Sequence, residues 1–107
     1  MSIRQQIKGD LFEAMKSRRS DVVSVLRTLL GEIANAEAVE TDTDFVPMLG
    51  RTNDVPRKQL TDDDIRQILQ AEADNHRAAI AEFEQAGRQD AVERLQNELK
   101  IIKRYLS

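Results

Sequence analysis

The chain has one histidine, His76, four residues after Glu72. On a helix that spacing puts both side chains on one face and within reach of each other. Such a pair suits proton transfer between an acid and a base, or supplies two ligands to a metal ion. It equally suits a satisfied polar pair on the core side of a helix, with Arg27 or Arg77 nearby. A metal site built on helices draws carboxylates and histidines from several of them, and this chain has one His and no Cys. The lack of cysteine also removes a thiolate nucleophile and a disulfide frame. No nucleophile elbow, P-loop or GxGxxG stretch occurs in the sequence. Glu72, His76 and Arg27 are therefore read as a structural polar core, and no catalytic, cofactor-binding or metal-ligating residue is assigned.

Two basic clusters are the other candidates: Lys16, Arg18 and Arg19, and Lys100, Lys103 and Arg104. Each could neutralise RNA phosphates with salt-dependent affinity. No aromatic residue stands between these charges to stack a base. The alternative is that both clusters complement the negative ends of helices, since each falls where a helix is expected to end. The chain as a whole gives no pull toward polyanions, because 16 Lys and Arg face 19 Asp and Glu for a net charge of −3. Ile101 and Tyr105 form a third candidate. They lie one turn apart and off the main apolar stripe of the last helix, as a patch for a partner protein or a second copy would.

The elements that must hold these residues are helical. Only 4% of the residues are aromatic, which argues against an all-β fold. Ile3, Ile7, Leu11, Ala14 and Met15 recur at helical spacing, and Ser2 with Gln5 reads as a capping box opening a helix to about Lys16. A polar break follows, with Ser20 expected to cap a second helix from Asp21 to about Ala38. Its apolar residues, Val22 to Ile33, cover half its circumference, so it should be the centre of a bundle. Periodicity stops from Val39 to Gln59, where both prolines fall, giving a long connection over 38–60. Thr61 and three aspartates then open a third helix that closes at Gly87. Asp90 and Glu93 read as the cap and capping box of the fourth, striped by Val92, Leu95, Leu99, Ile102 and Leu106. The expectation is one all-α domain over residues 1–107: a four-helix bundle with a long hairpin of helices three and four. The opening residues lack the apolar core of a signal peptide, and no apolar run can span a bilayer, so the cytoplasm is expected and no membrane partner.

The stretch from Leu60 to Leu106 resembles the YqeY family, small bacterial proteins similar to the tail of the GatB subunit of tRNA-dependent amidotransferase. The residues that carry the likeness are LTDDD at 60–64, Glu72, Arg77, Ile80, Phe83, the turn Ala86-Gly87-Arg88, Glu98 and Tyr105-Leu106. Ile7 to Lys16, Val25 to Leu30 and Asn35-Ala36-Glu37 fit the family's first two helices. The family's Tyr-Leu-Pro signature ends here in Ser107, and a second small subdomain is expected to be lacking. The resemblance implies a non-catalytic accessory to tRNA-dependent amide transfer, linked to carbon–nitrogen ligases that use glutamine as amide donor. The implied partners are tRNA or an amidotransferase or synthetase protein, with self-association through the last helix also expected. The alternative is a helical protein–protein adaptor with no role toward RNA.

Overall fold

Capping chemistry sets where the chain turns helical. The structure is a computed structural model that describes residues 2–43 and 60–106, with side chains for 2–38 and 60–106. Helix α1 spans Ile3–Lys16. Ser2 caps it: its Oγ accepts from the Gln5 amide at 3.1 Å, and Gln5 Oε1 accepts from the Ser2 amide at 3.3 Å. Helix α3 spans Asp62–Gln85 and repeats the device with Thr61 and Asp64, at 3.1 and 3.0 Å. Reciprocal boxes of this kind satisfy two backbone donors that a helix start otherwise leaves to water. Asp62 also accepts from the Ile3 amide at 3.3 Å, which ties the start of α3 to the start of α1.

The two hairpin turns are copies of each other. After α1, the Arg18 amide donates to the Met15 carbonyl and the Arg19 amide to that of Ala14. After α3, Gly87 donates to Glu84 and Arg88 to Phe83 in the same pattern. Each is a Schellman turn, whose pivot residue adopts a left-handed conformation. Gly87 does so at φ 72°, as its type allows, and Arg18 does so at φ 58°, where an L side chain is strained.

These turns correct two expected caps. Helix α2 spans Ser20–Thr43, so Ser20 is its first residue and not its cap. The Arg19 carbonyl accepts the first helical bond, from Val23, because the turn has already delivered Arg19 to that place. Helix α4 spans Gln89–Lys103, with Arg88 at the cap position and no side chain capping it. Asp90 lies inside its first turn, where the hydrogen bond from the Arg88 guanidinium at 3.4 Å, and after it the Ala91 amide, hold its carboxyl below the usual range.

Helix α2 also outruns its expected end at Ala38 and takes up the first residues of the 38–60 connection. Alanine and glutamate through 36–40 favour helix without an apolar stripe, and Glu37 is anchored to α1 by Arg4. The rest of that connection, including the Phe45–Leu49 cluster, lies outside the described residues.

The helices pack as two antiparallel hairpins, α1 with α2 and α3 with α4. Helix α2 touches α1, α3 and α4, as its wide apolar arc requires. Ile7, Leu26, Leu29, Ile33, Ile65, Leu69 and Ile102 are fully buried in one cluster. Ala91 and Val92 are buried outside it. The fold is all-α, and among the described residues it has four helices and no strand.

Ile101 and Tyr105 do not form a free face. They are 8% and 6% exposed and belong to the central cluster. Tyr105 sits in the turn after α4 and reaches across to α1, where its hydroxyl donates to Asp10 Oδ2 at 2.6 Å. The end of this segment packs against more than one neighbour, so its apolar arc is wider than a single stripe. Self-association through these two residues is therefore set aside.

Candidate functional site

Glu72 and His76 do face inward from α3, with side chains 20% and 16% exposed. His76 Nδ1 lies 3.0 Å from the Glu72 carbonyl one turn earlier, and Nε2 lies 2.9 Å from Glu98 Oε1 on α4. The Glu72 carboxylate is more distant, 4.0 Å from Nδ1. A carbonyl and a carboxylate are both acceptors, so the ring can donate to either. Both ring nitrogens thus already face an oxygen of the protein. Ser24 and Thr28 of α2 line the same crevice, but Thr28 Oγ1 already donates to the Ser24 carbonyl at 3.0 Å. The space left is about 50 Å³. That is room for a water or two, against several hundred Å³ for a substrate pocket. The cluster joins α3 to α4.

Arg27 is not part of it. Its side chain is exposed on α2 and lines a different groove, toward α1. Arg77 is likewise on the surface, with Asp74 at 3.0 Å. The partner that matters is Glu98, and finding it requires the register of α3 against α4. A second polar link was also missed. Arg4 of α1 grips both carboxylate oxygens of Glu37 on α2, and Glu37 is only 7% exposed. Its only sequence signal is an acid near the end of one predicted helix and a base near the start of another.

The basic clusters behave differently. All six residues are exposed. Lys16, Arg18 and Arg19 sit at the α1–α2 turn, and Lys100, Lys103 and Arg104 sit at the end of α4. Arg19 and Arg104 line one shallow depression of about 130 Å³ together with Asp10 and Glu13. Two arginines 85 positions apart in the chain, one from each cluster, are thus brought together. One aromatic ring does lie beside a member of the first cluster. Phe12 lies one turn before Lys16 on α1, is 63% exposed, and carries the Lys16 ammonium 5.5 Å from its centroid. Met15 beside it is 49% exposed, although its spacing puts it on the apolar stripe.

Behind this edge, between the end of α1 and the first turns of α2, runs an open groove of about 650 Å³. Met15 and Val23 supply its apolar surface, and Arg18 and Arg27 its charge. Among the described residues no three His, Cys, Asp or Glu side chains are grouped to hold a metal ion. No helix of the described residues is long and apolar enough to cross a membrane.

A small all-α module with an ionic link through its α3–α4 hairpin and a cationic, partly apolar surface at the α1–α2 turn is the class these features define. The chain belongs to the family described as Yqey-like protein, whose model matches residues 4–107. It is also 26% identical over 105 residues to an uncharacterized protein of Schizosaccharomyces pombe, covering 98% of this chain and 72% of that one.

Proposed function

We propose that this chain is a non-catalytic helical module that contacts the phosphate backbone of tRNA, as an accessory to tRNA-dependent amide transfer. The observation that carries the reading is the meeting of Arg19, from the basic cluster at the α1–α2 turn, with Arg104, from the one at the end of α4, in a single depression. A chain of net charge −3 has no general attraction for RNA, so a contact has to come from a local concentration of cations. Placed together, such cations neutralise several phosphates at once and release their counterions. The exposed Phe12 ring adds a surface on which a base can stack. The resemblance to the tail of an amidotransferase subunit supplies the identity of the RNA and of the reaction served. No described cluster offers amide-transfer chemistry of its own, since His76 is held at both nitrogens.

The test is fluorescence anisotropy of labelled tRNA titrated with the wild-type chain and with an Arg19→Glu, Lys103→Glu double variant. The reading expects saturable wild-type binding that the variant loses by tenfold or more at equal stability. Equal binding by the two would remove it. A second reading, a protein adaptor with no role toward RNA, is favoured by Phe12 and Met15, which together expose apolar surface on α1. It expects no RNA affinity in either chain.

A further inference from the structure

The groove between α1 and α2 has a composition that a contact to the phosphate backbone alone does not require. We infer that it seats one unpaired nucleotide of the RNA, with the base against Met15 and Val23 and the phosphate between Arg18 and Arg27. This inference rests on the RNA reading above and deepens it.

Size comes first. About 650 Å³ lies within the ~300–1,000 Å³ typical of sites for small ligands, and is far too small for a duplex to enter. Charge is the second observation. Arg18 and Arg27 are exposed, and neither side chain makes a hydrogen bond or ion pair among the described residues. Among the described residues no carboxylate lines the groove, in a chain with more acids than bases. Three other exposed arginines are paired, Arg66 with Asp63, Arg77 with Asp74 and Arg88 with Asp90, while Arg19 and Arg94 stand without a side-chain partner among the described residues but do not line this groove. Two guanidiniums left without acids around an open groove are available to an anion, and their planar fork suits phosphate.

The third observation is conformational. Arg18 occupies the left-handed pivot of its turn, the position that Gly87 fills in the matching turn. Glycine there would relieve the backbone. The side chain is kept at a cost to folding, as side chains with work to do at a site are. The fourth is the lining itself. Met15 is a flexible thioether that moulds to a flat apolar face, and Ser20 and Ser24 present hydroxyls able to bond a ribose or a base edge. An acidic amphipathic helix is the competing occupant. Two apolar side chains give such a helix little surface to bury, whereas one base needs no more.

The experiment is amide NMR of the full chain titrated with a uridine tetranucleotide, a blunt-ended RNA duplex and an acidic amphipathic peptide. It is run on wild type and on Met15→Ser, Arg27→Glu and, as a control outside the groove and both basic clusters that should bind as wild type, Arg94→Glu. Met15 and Arg27 are exposed, so thermal melts should confirm that their variants fold as wild type. The tetranucleotide should shift the amides of Val23 and Ser24. Met15→Ser should weaken it about five- to tenfold, the loss of one stacked base, and leave duplex affinity unchanged. Arg27→Glu should weaken it tenfold or more. If the tetranucleotide and duplex bind, but the Met15 and Arg27 variants match wild type, the groove is not the seat, while the RNA reading survives. If neither RNA binds, both fall. If the peptide alone shifts Val23 and Ser24, the groove belongs to a protein partner and the inference is overturned.

Discussion

Replacing Arg18 by glycine should make this protein more stable. At φ 58° an L residue sits in the left-handed region, where its Cβ crowds the following carbonyl at a cost of about 1–2 kcal/mol. Glycine escapes that cost but surrenders about 0.5–1 kcal/mol of extra backbone entropy on folding. Arg18 forms no described ion pair or hydrogen bond through its side chain that would be lost. The net gain is about 0.5–1 kcal/mol. For a domain near 100 residues that raises the melting temperature by about 2–8 °C. The matching turn provides the reverse experiment. A Cβ built on Gly87 meets nothing within 4 Å, so Gly87→Ala should cost about 1 kcal/mol through backbone strain alone. Both are measured by thermal and urea unfolding followed at 222 nm, with the urea m-value unchanged as the check that only stability moved. A lower melting temperature for Arg18→Gly would refute the reasoning, because the side chain would then be stabilising the fold through contacts. A higher one together with weaker tRNA binding would place Arg18 among residues kept for function at the expense of stability.

Further outcomes follow from the buried links. Burial, and after it the hydrogen bond to Asp10, push the Tyr105 phenol above its usual value of 10.0. The folded state therefore holds this proton more tightly than the unfolded state. The stabilisation is fully present below pH 10 and is lost as pH rises beyond it, so the melting temperature should fall there more steeply in wild type than in Tyr105→Phe. Glu98→Ala leaves His76 Nε2 without its acceptor in a half-buried crevice, and unfolding in urea should show a loss of about 1–3 kcal/mol. Glu72→Ala should cost less, since its carboxylate stands 4.0 Å from the ring, and a larger loss than for Glu98→Ala would reverse that order. Ile101→Asp puts an unpaired carboxylate into the core, so it should unfold the chain or cost several kcal/mol, without first changing the sedimentation of a folded species. A folded variant with wild-type stability and altered association would restore the docking face that burial excludes.

Features decided within a few residues were legible from the sequence. Ser2 with Gln5, Thr61 with three aspartates, and Gly87 as a pivot each involve groups within one turn of one another, so type and spacing suffice. Asp90 was misread as a cap because its own propensity is good. The Schellman turn after α3 had already set the helix start at Gln89. Ser20 was misread for the same reason at the other turn. Long-range features were not legible. The Glu98 partner of His76 depends on how α3 slides along α4, and a shift of one turn would offer Glu98 nothing. The burial of Tyr105 depends on its reach to Asp10, 95 positions away in the chain. The candidate RNA surface was half legible: composition marked both basic clusters, but only the fold shows that Arg19 and Arg104 share a depression and that Phe12 and Arg27 flank the α1–α2 turn.

The most direct measurement of the central claim is the salt dependence of tRNA binding. The logarithm of the affinity is followed against the logarithm of the salt concentration for wild type, for Arg19→Ala and for Lys103→Ala. Each phosphate contact contributes a slope of about −0.7 to −0.9. The account expects a steep wild-type slope, shallower by roughly one in each single variant, with the loss shared between residues of the α1–α2 turn and of the end of α4. Absence of measurable tRNA affinity at low salt, or a slope that neither substitution changes, would contradict it.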